Sequence, residues 1–215
     1  MYHPRVDRRG VIAAYRAGFG ILGVAAIATQ LLDLAGKGVL NPVNFFSYFT
    51  ILSNTLAVIV LLVGAARWRS RPSQTTDMLR GAAVLYMTVT LIVFALLLSG
   101  TDVDTAIPWV NAVVHQLLPV VMIVDWLIDP PVTRLTIRQG LAWLIPPLVW
   151  IVYTMIRGPI AGWYPYPFLD PANGGYGSVA VTTLVILAGG AVLCALLVLA
   201  GNAMRDRSHP LAPAR

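Results

Sequence analysis

A bundle of six membrane-spanning α-helices is the fold class this sequence predicts, all-α and built as a single integral membrane domain over residues 1–215. Three observations carry that expectation. The chain is 58% hydrophobic and 11% charged, with a mean hydropathy of +0.76, far from the roughly quarter-charged mix of soluble domains. Its apolar residues fall in six continuous runs, each near the roughly 20 residues that cross about 30 Å of hydrocarbon. Lipid demands that every backbone N–H and C=O be satisfied within the segment, which continuous apolar runs meet as helices and not as strands.

The first helix is expected at about Ala17–Ala35. Arg16 cuts into this run and no small-residue cleavage site follows, so it reads as a retained helix and not a secretory signal. The second, about Asn44–Ala66, carries Ser47, Thr50 and Asn54. The third covers about Gly81–Ser99. The fourth, about Ile107–Ile128, holds Asn111, His115 and, nearer its far end, Asp125. The fifth, about Gln139–Ile156, is expected to kink at Pro146 and Pro147, which neighbouring helices can accommodate. The sixth, about Ser178–Gly201, contains the one cysteine, Cys194, expected to pack rather than to react.

Thirteen of the fifteen Lys and Arg residues fall before or early in the first helix, in the second and fourth connections and in the tail; Lys37 and Arg157 are the exceptions. By the positive-inside rule both termini are expected in the cytoplasm. That distribution, and not the net charge of +6 itself, argues for a multi-pass membrane protein, expected in a bacterial plasma membrane, and against nucleic acid as a partner. Asp125 is expected to pair with Arg134, Arg138 or Arg80 at the inner interface. The first three helices do not resemble the last three, which weakens a transporter reading based on repeated halves.

The fifth connection, about 157–177, reads RGPIAGWYPYPFLDPANGGYG. A segment of that length is expected to be a structureless outer loop. Its Trp163, Tyr164, Tyr166 and Phe168 suit either an aromatic anchor at the headgroups or a lid over a site.

His115 is the one histidine inside an apolar run, and an imidazole in hydrocarbon needs a partner or a task. Ser47, Thr50 and Asn54 are spaced i, i+3, i+7 on one helical face, while Asn111 and His115 share another. At about 1.5 Å per residue, Thr50 and His115 lie roughly 8 Å and 11 Å below the outer ends of their helices. A hydroxyl becomes a good nucleophile when a positioned base takes its proton, and histidine titrates near neutrality. Asn54 and Asn111 are suited to orient the imidazole or donate to an oxyanion; Asp33, near the outer end of the first helix, is a further orienting group. The same residues also fit interhelical hydrogen bonding without catalysis. One buried histidine makes a poor metal or haem ligand set. The GYGSVAV segment around Ser178 lacks a Gly-x-Ser-x-Gly arrangement and has no later intramembrane histidine, unlike a rhomboid-type protease.

The segments FFSYFTILSN and NAVVHQLLP, with RG and YPYPFLD in the long connection, resemble the bacterial proline-rich six-transmembrane-helix membrane proteins. Those are similar to the androgen-induced and androgen-dependent membrane proteins of animals, threonine hydrolases of fatty acid esters of hydroxy fatty acids. The resemblance covers most of the chain and implies Thr50 as nucleophile, His115 as base and a membrane lipid or amphipathic ester as partner, with no metal or organic cofactor. Ser47, Asn54, Asn111, Asp33, Tyr164 and Tyr166 complete the expected substrate-binding or orienting set. The alternative is a noncatalytic protein that binds or transports an amphipathic lipid through the same cavity.

Overall fold

The computed structural model describes residues 7–70, 73–99 and 107–208; Arg5, Arg71 and Arg215 of the basic clusters lie outside the described residues. Among the described residues, six helices are long and apolar enough to cross a membrane. They are α1 (Arg8–Gly36), α2 (Phe49–Ala66), α3 (Gln74–Leu98), α4 (Pro108–Ile128), α5 (Ile137–Ala161) and α6 (Gly175–Ser208). Among the described residues all regular structure is helical.

Several boundaries differ from the sequence expectation, each for a local reason. Helix α1 begins nine residues before the apolar run, capped by the Asp7 carboxylate, because Arg16 is buried against α4 rather than left to lipid. The second run is not one helix. Asn41 caps a single turn, Pro42–Phe45, and the chain then breaks before Tyr48, whose φ of −68° and ψ of 126° are extended. The Ser47 hydroxyl donates back to the Val43 carbonyl and the Ser47 carbonyl accepts from the Trp150 indole. Ser47 therefore lies outside the helix of Thr50 and Asn54, correcting the three-residue face.

Helix α4 turns π-helical at Val113–Leu117, where the Leu118 amide donates to Val113. Pro119 explains this: it has no N–H for the His115 carbonyl, and its ring crowds that turn. A second π-helical turn ends α3 at Phe94–Leu98. Helix α5 breaks at Trp143–Leu144, ahead of Pro146 and Pro147, which occupy a first turn where missing amide protons cost nothing. It continues through Pro159 to Ala161 and ends at Gly162, whose φ of 61° is left-handed. The expected 157–177 loop thus shrinks to 162–174, and it is not structureless: 3₁₀ turns form at Pro167–Leu169 and Pro171–Asn173.

The core lies between α2, α3 and α4, with Leu61, Ala83, Met87, Leu118, Met122 and Trp126 almost wholly buried. Gly81 on α3 makes room for the Trp143 ring, which a Cβ at that position would overlap. Gly81→Ala is expected to destabilise the bundle by about 1–3 kcal/mol through overpacking, read as a lower Tm in detergent; an unchanged Tm would show that Trp143 relocates freely.

At the end holding both helix termini, a buried charge network joins three helices. Arg16 donates to Asp125 (2.6 and 3.2 Å) and Asp129 (2.6 Å). Arg80 donates to the same Asp125 carboxylate (2.9 Å) and lies 3.9 Å from Asp77. Of the expected partners of Asp125 only Arg80 is present; Arg16 was not anticipated, and Arg134 pairs with Asp206. One Asp77 oxygen also accepts the Val132 and Thr133 amides and the Thr133 hydroxyl, while the Asn202 amide clasps the backbone of Leu135 at both N–H and C=O.

Candidate functional site

The opposite end of the bundle holds the polar groups singled out in the sequence. Thr50 is the second residue of α2, where backbone amides have no intrahelical acceptor. Tyr48 supplies no side-chain cap. The acceptor comes from the connecting loop: the Thr50 amide donates to the Tyr166 phenol oxygen at 3.0 Å, and the Thr50 hydroxyl lies 3.0 Å from the same oxygen.

Pro165 and Pro167 limit the backbone around Tyr166, and the turn at Pro167–Leu169 brings its ring inward. The ring stacks on Phe168 (centroids 5.3 Å apart, interplanar angle 4°) and meets Tyr48 (5.7 Å) and Trp150 (6.1 Å). Tyr166 and Leu169 are buried in a small apolar cluster with Leu98 and Val179. Burial pushes the Tyr166 phenol above its usual pKa, against the opposing effect of its hydrogen bonds from Thr50. The phenol is therefore neutral at physiological pH, a hydrogen-bond group and not a base.

Thr50 and Tyr166 form part of the wall of a cavity reached by α2, α3, α5, α6 and the loop. Its lining is overwhelmingly apolar, including Val89, Val93, Leu98, Ile151, Ile186 and Leu187. Few polar groups interrupt it. Thr90 also lines the wall and bonds Ser53 (3.1 Å), and Thr183 on α6 presents a buried hydroxyl without a partner.

His115 sits beside this wall and not on it. Its ring stacks on Phe94 of the α3 π-turn, with centroids 4.3 Å apart and an angle of 14°. Nδ1 lies 2.7 Å from the Asn111 side-chain oxygen. That oxygen, as the amide is oriented, accepts only, so Nδ1 carries the proton and Nε2 the lone pair. Nε2 is buried with no hydrogen-bond partner. Asn54 links the two regions, donating to the carbonyls of Thr50 (2.8 Å) and Val114 (3.0 Å), while its own oxygen is unpartnered.

Of the expected site residues, the structure brings together Thr50 with Tyr166 and His115 with Asn111, with Asn54 between the pairs. Among the described residues no hydrogen bond joins the Thr50 hydroxyl to the His115 imidazole. Asp33 is held by Lys37 at 2.7 Å, Ser47 bonds Tyr153 at 2.9 Å, and Tyr164 packs over Gly158; none lines the cavity. Residues that sequence reasoning passed over are Ser53, Thr90, Phe94, Trp150 and Thr183. The hydroxyl of Thr90 inside the apolar run YMTVTLIV was a usable signal; Phe94 had none. Comparison of the chain with models of known families, with curated proteins and with solved structures finds no match.

Proposed function

We propose that this chain is a multi-pass protein of a bacterial plasma membrane, both termini cytoplasmic, that hydrolyses a lipid ester with Thr50 as nucleophile and His115 as base. The observation that carries this reading is the placing of the Thr50 hydroxyl and amide together at a helix start, in the wall of an apolar cavity. An acyl chain suits that lining, and a nucleophile's own amide is a ready donor to the oxyanion its attack creates.

In the reaction, Thr50 Oγ1 bonds to the ester carbon as its proton passes to His115 Nε2, and the carbonyl π pair moves to oxygen. Collapse re-forms the carbonyl and breaks the bond to the leaving oxygen, which takes the proton from His115. Water then attacks the acyl-threonine, giving its proton to His115, and the second collapse returns the threonine hydroxyl and releases the acid. Nε2 with its free lone pair is in the protonation state the first step needs. To take the proton, Nε2 must come within hydrogen-bond reach of Thr50, which it does not bond in the structure; catalytic hydrogen bonds can tighten on substrate binding.

A second reading, lipid binding without turnover, is favoured by the separate engagement of Thr50 by Tyr166 and His115 by Asn111. The two part on purified protein in nanodiscs given long-chain p-nitrophenyl esters and a fluorophosphonate probe. Hydrolysis and a covalent adduct on Thr50, both absent in Thr50→Ala, are expected. Turnover that persists in Thr50→Ala would sink the threonine mechanism, and saturable fatty-acid binding with no turnover by the wild type would establish the second reading.

A further inference from the structure

Tyr166 has no role in the reaction as written, yet its phenol oxygen lies within hydrogen-bond distance of the proposed nucleophile. We infer that Tyr166 is a catalytic residue of the loop, whose O–H donates to the oxyanion formed when Thr50 attacks an ester; this rests on the hydrolase reading above. Two distances support it. The phenol oxygen is 3.0 Å from Thr50 Oγ1 and 3.0 Å from the Thr50 amide. A carbonyl oxygen attacked by Thr50 Oγ1 and bonded by the Thr50 amide comes into the same neighbourhood, beside the phenol and within its reach. In the structure the phenol oxygen itself accepts from that amide. When an ester enters, the oxyanion takes over the Thr50 amide, and the phenol gives up that acceptor role and turns its proton toward the new charge.

The surroundings make such a donor effective. The ring is fixed on three sides by Phe168, Tyr48 and Trp150, so the hydroxyl is aimed before the reaction starts. The adjoining cavity wall is almost wholly apolar, which leaves a hydrogen bond to developing charge little screened. No proton is transferred through Tyr166: the phenol keeps its hydrogen while His115 takes and returns the one from Thr50. A phenol whose ionisation is disfavoured by burial suits a donor that must stay protonated.

The structural alternative is that Tyr166 only caps α2 and closes the loop. Tyr166→Phe removes the hydroxyl and keeps the aromatic cage. Its test is turnover of a p-nitrophenyl ester in nanodiscs, with binding of two analogues: a trifluoromethyl ketone that forms a tetrahedral adduct with the nucleophile, and the matching ether, which has no carbonyl. Tyr166→Phe is expected to lower kcat by about 10²–10³ with little change in KM, and to weaken the ketone by a similar factor while leaving the ether within threefold. Tyr153→Phe, which removes a phenol bonded to Ser47 away from the cavity, is the control expected to match wild type. Equal weakening of ketone and ether, or kcat within threefold of wild type, would overturn the catalytic role and leave the cap. Wild-type protein that neither turns over ester nor prefers ketone to ether would overturn the hydrolase reading, and this inference with it.

Discussion

Asp125→Ala is expected to lower the stability of the bundle by about 3–5 kcal/mol, the cost of stripping a buried ion network of its shared partner. Asp125 is nearly inaccessible and accepts from two guanidiniums, Arg16 and Arg80, whose side chains are themselves 10% and 6% exposed. Alanine leaves both cations short of charge in a place where water does not replace the carboxylate. Asp129 bonds Arg16, and its Arg80 approach is 3.8 Å, so it compensates only in part. Arg134→Ala is the internal comparison: its pair with Asp206 is 66% and 45% exposed, and such surface pairs are worth about 0–1 kcal/mol. Unfolding in mixed micelles followed by tryptophan fluorescence measures both. An Asp125→Ala protein within 1 kcal/mol of wild type would mean that the network is not holding α1, α3 and α4 together.

His115→Gln is expected to cut ester turnover by about 10²–10⁴, the usual contribution of a general base, while ester binding stays near wild type. Glutamine retains an N–H for the Asn111 oxygen and replaces the imidazole lone pair with an amide that cannot take a proton at neutral pH. The prediction separates the two tasks of this side chain. If His115 only packs against Phe94 and ties down Asn111, the variant loses some stability and no chemistry. Steady-state kinetics beside a thermal melt distinguishes the cases, and an unchanged kcat would remove His115 from the mechanism.

Six apolar helices and their order were legible in the sequence because hydrocarbon tolerates so few alternatives for an unbroken apolar run. What periodicity does not carry is how one helix is rotated against the next. Thr50 and His115 fall at similar depth, but depth and face on each helix leave their mutual rotation open, and a loop residue, Tyr166, takes the hydroxyl instead. Hydropathy likewise marked Arg16 as an interruption of an apolar run, since it weighs a guanidinium by its cost in lipid and cannot see Asp125 across the interface. Asn111 and His115 were readable together because four residues along one helix is a local relation. Ser47 was misplaced because the break after Phe45 depends on the Trp150 indole, a residue of α5.

The Val132–Leu135 connection, tied by Asp77, Asn202 and Arg205, makes the terminal end of the bundle a floor. Amide hydrogens in such a short link ordinarily exchange within seconds, but those of Val132, Thr133 and Leu135 are each donated to a side-chain oxygen. Deuterium uptake there is expected to be as slow as in the helices flanking it. With that floor pinned, breathing of the structure is expected at the far end, where Tyr166 and its aromatic neighbours close on the cavity.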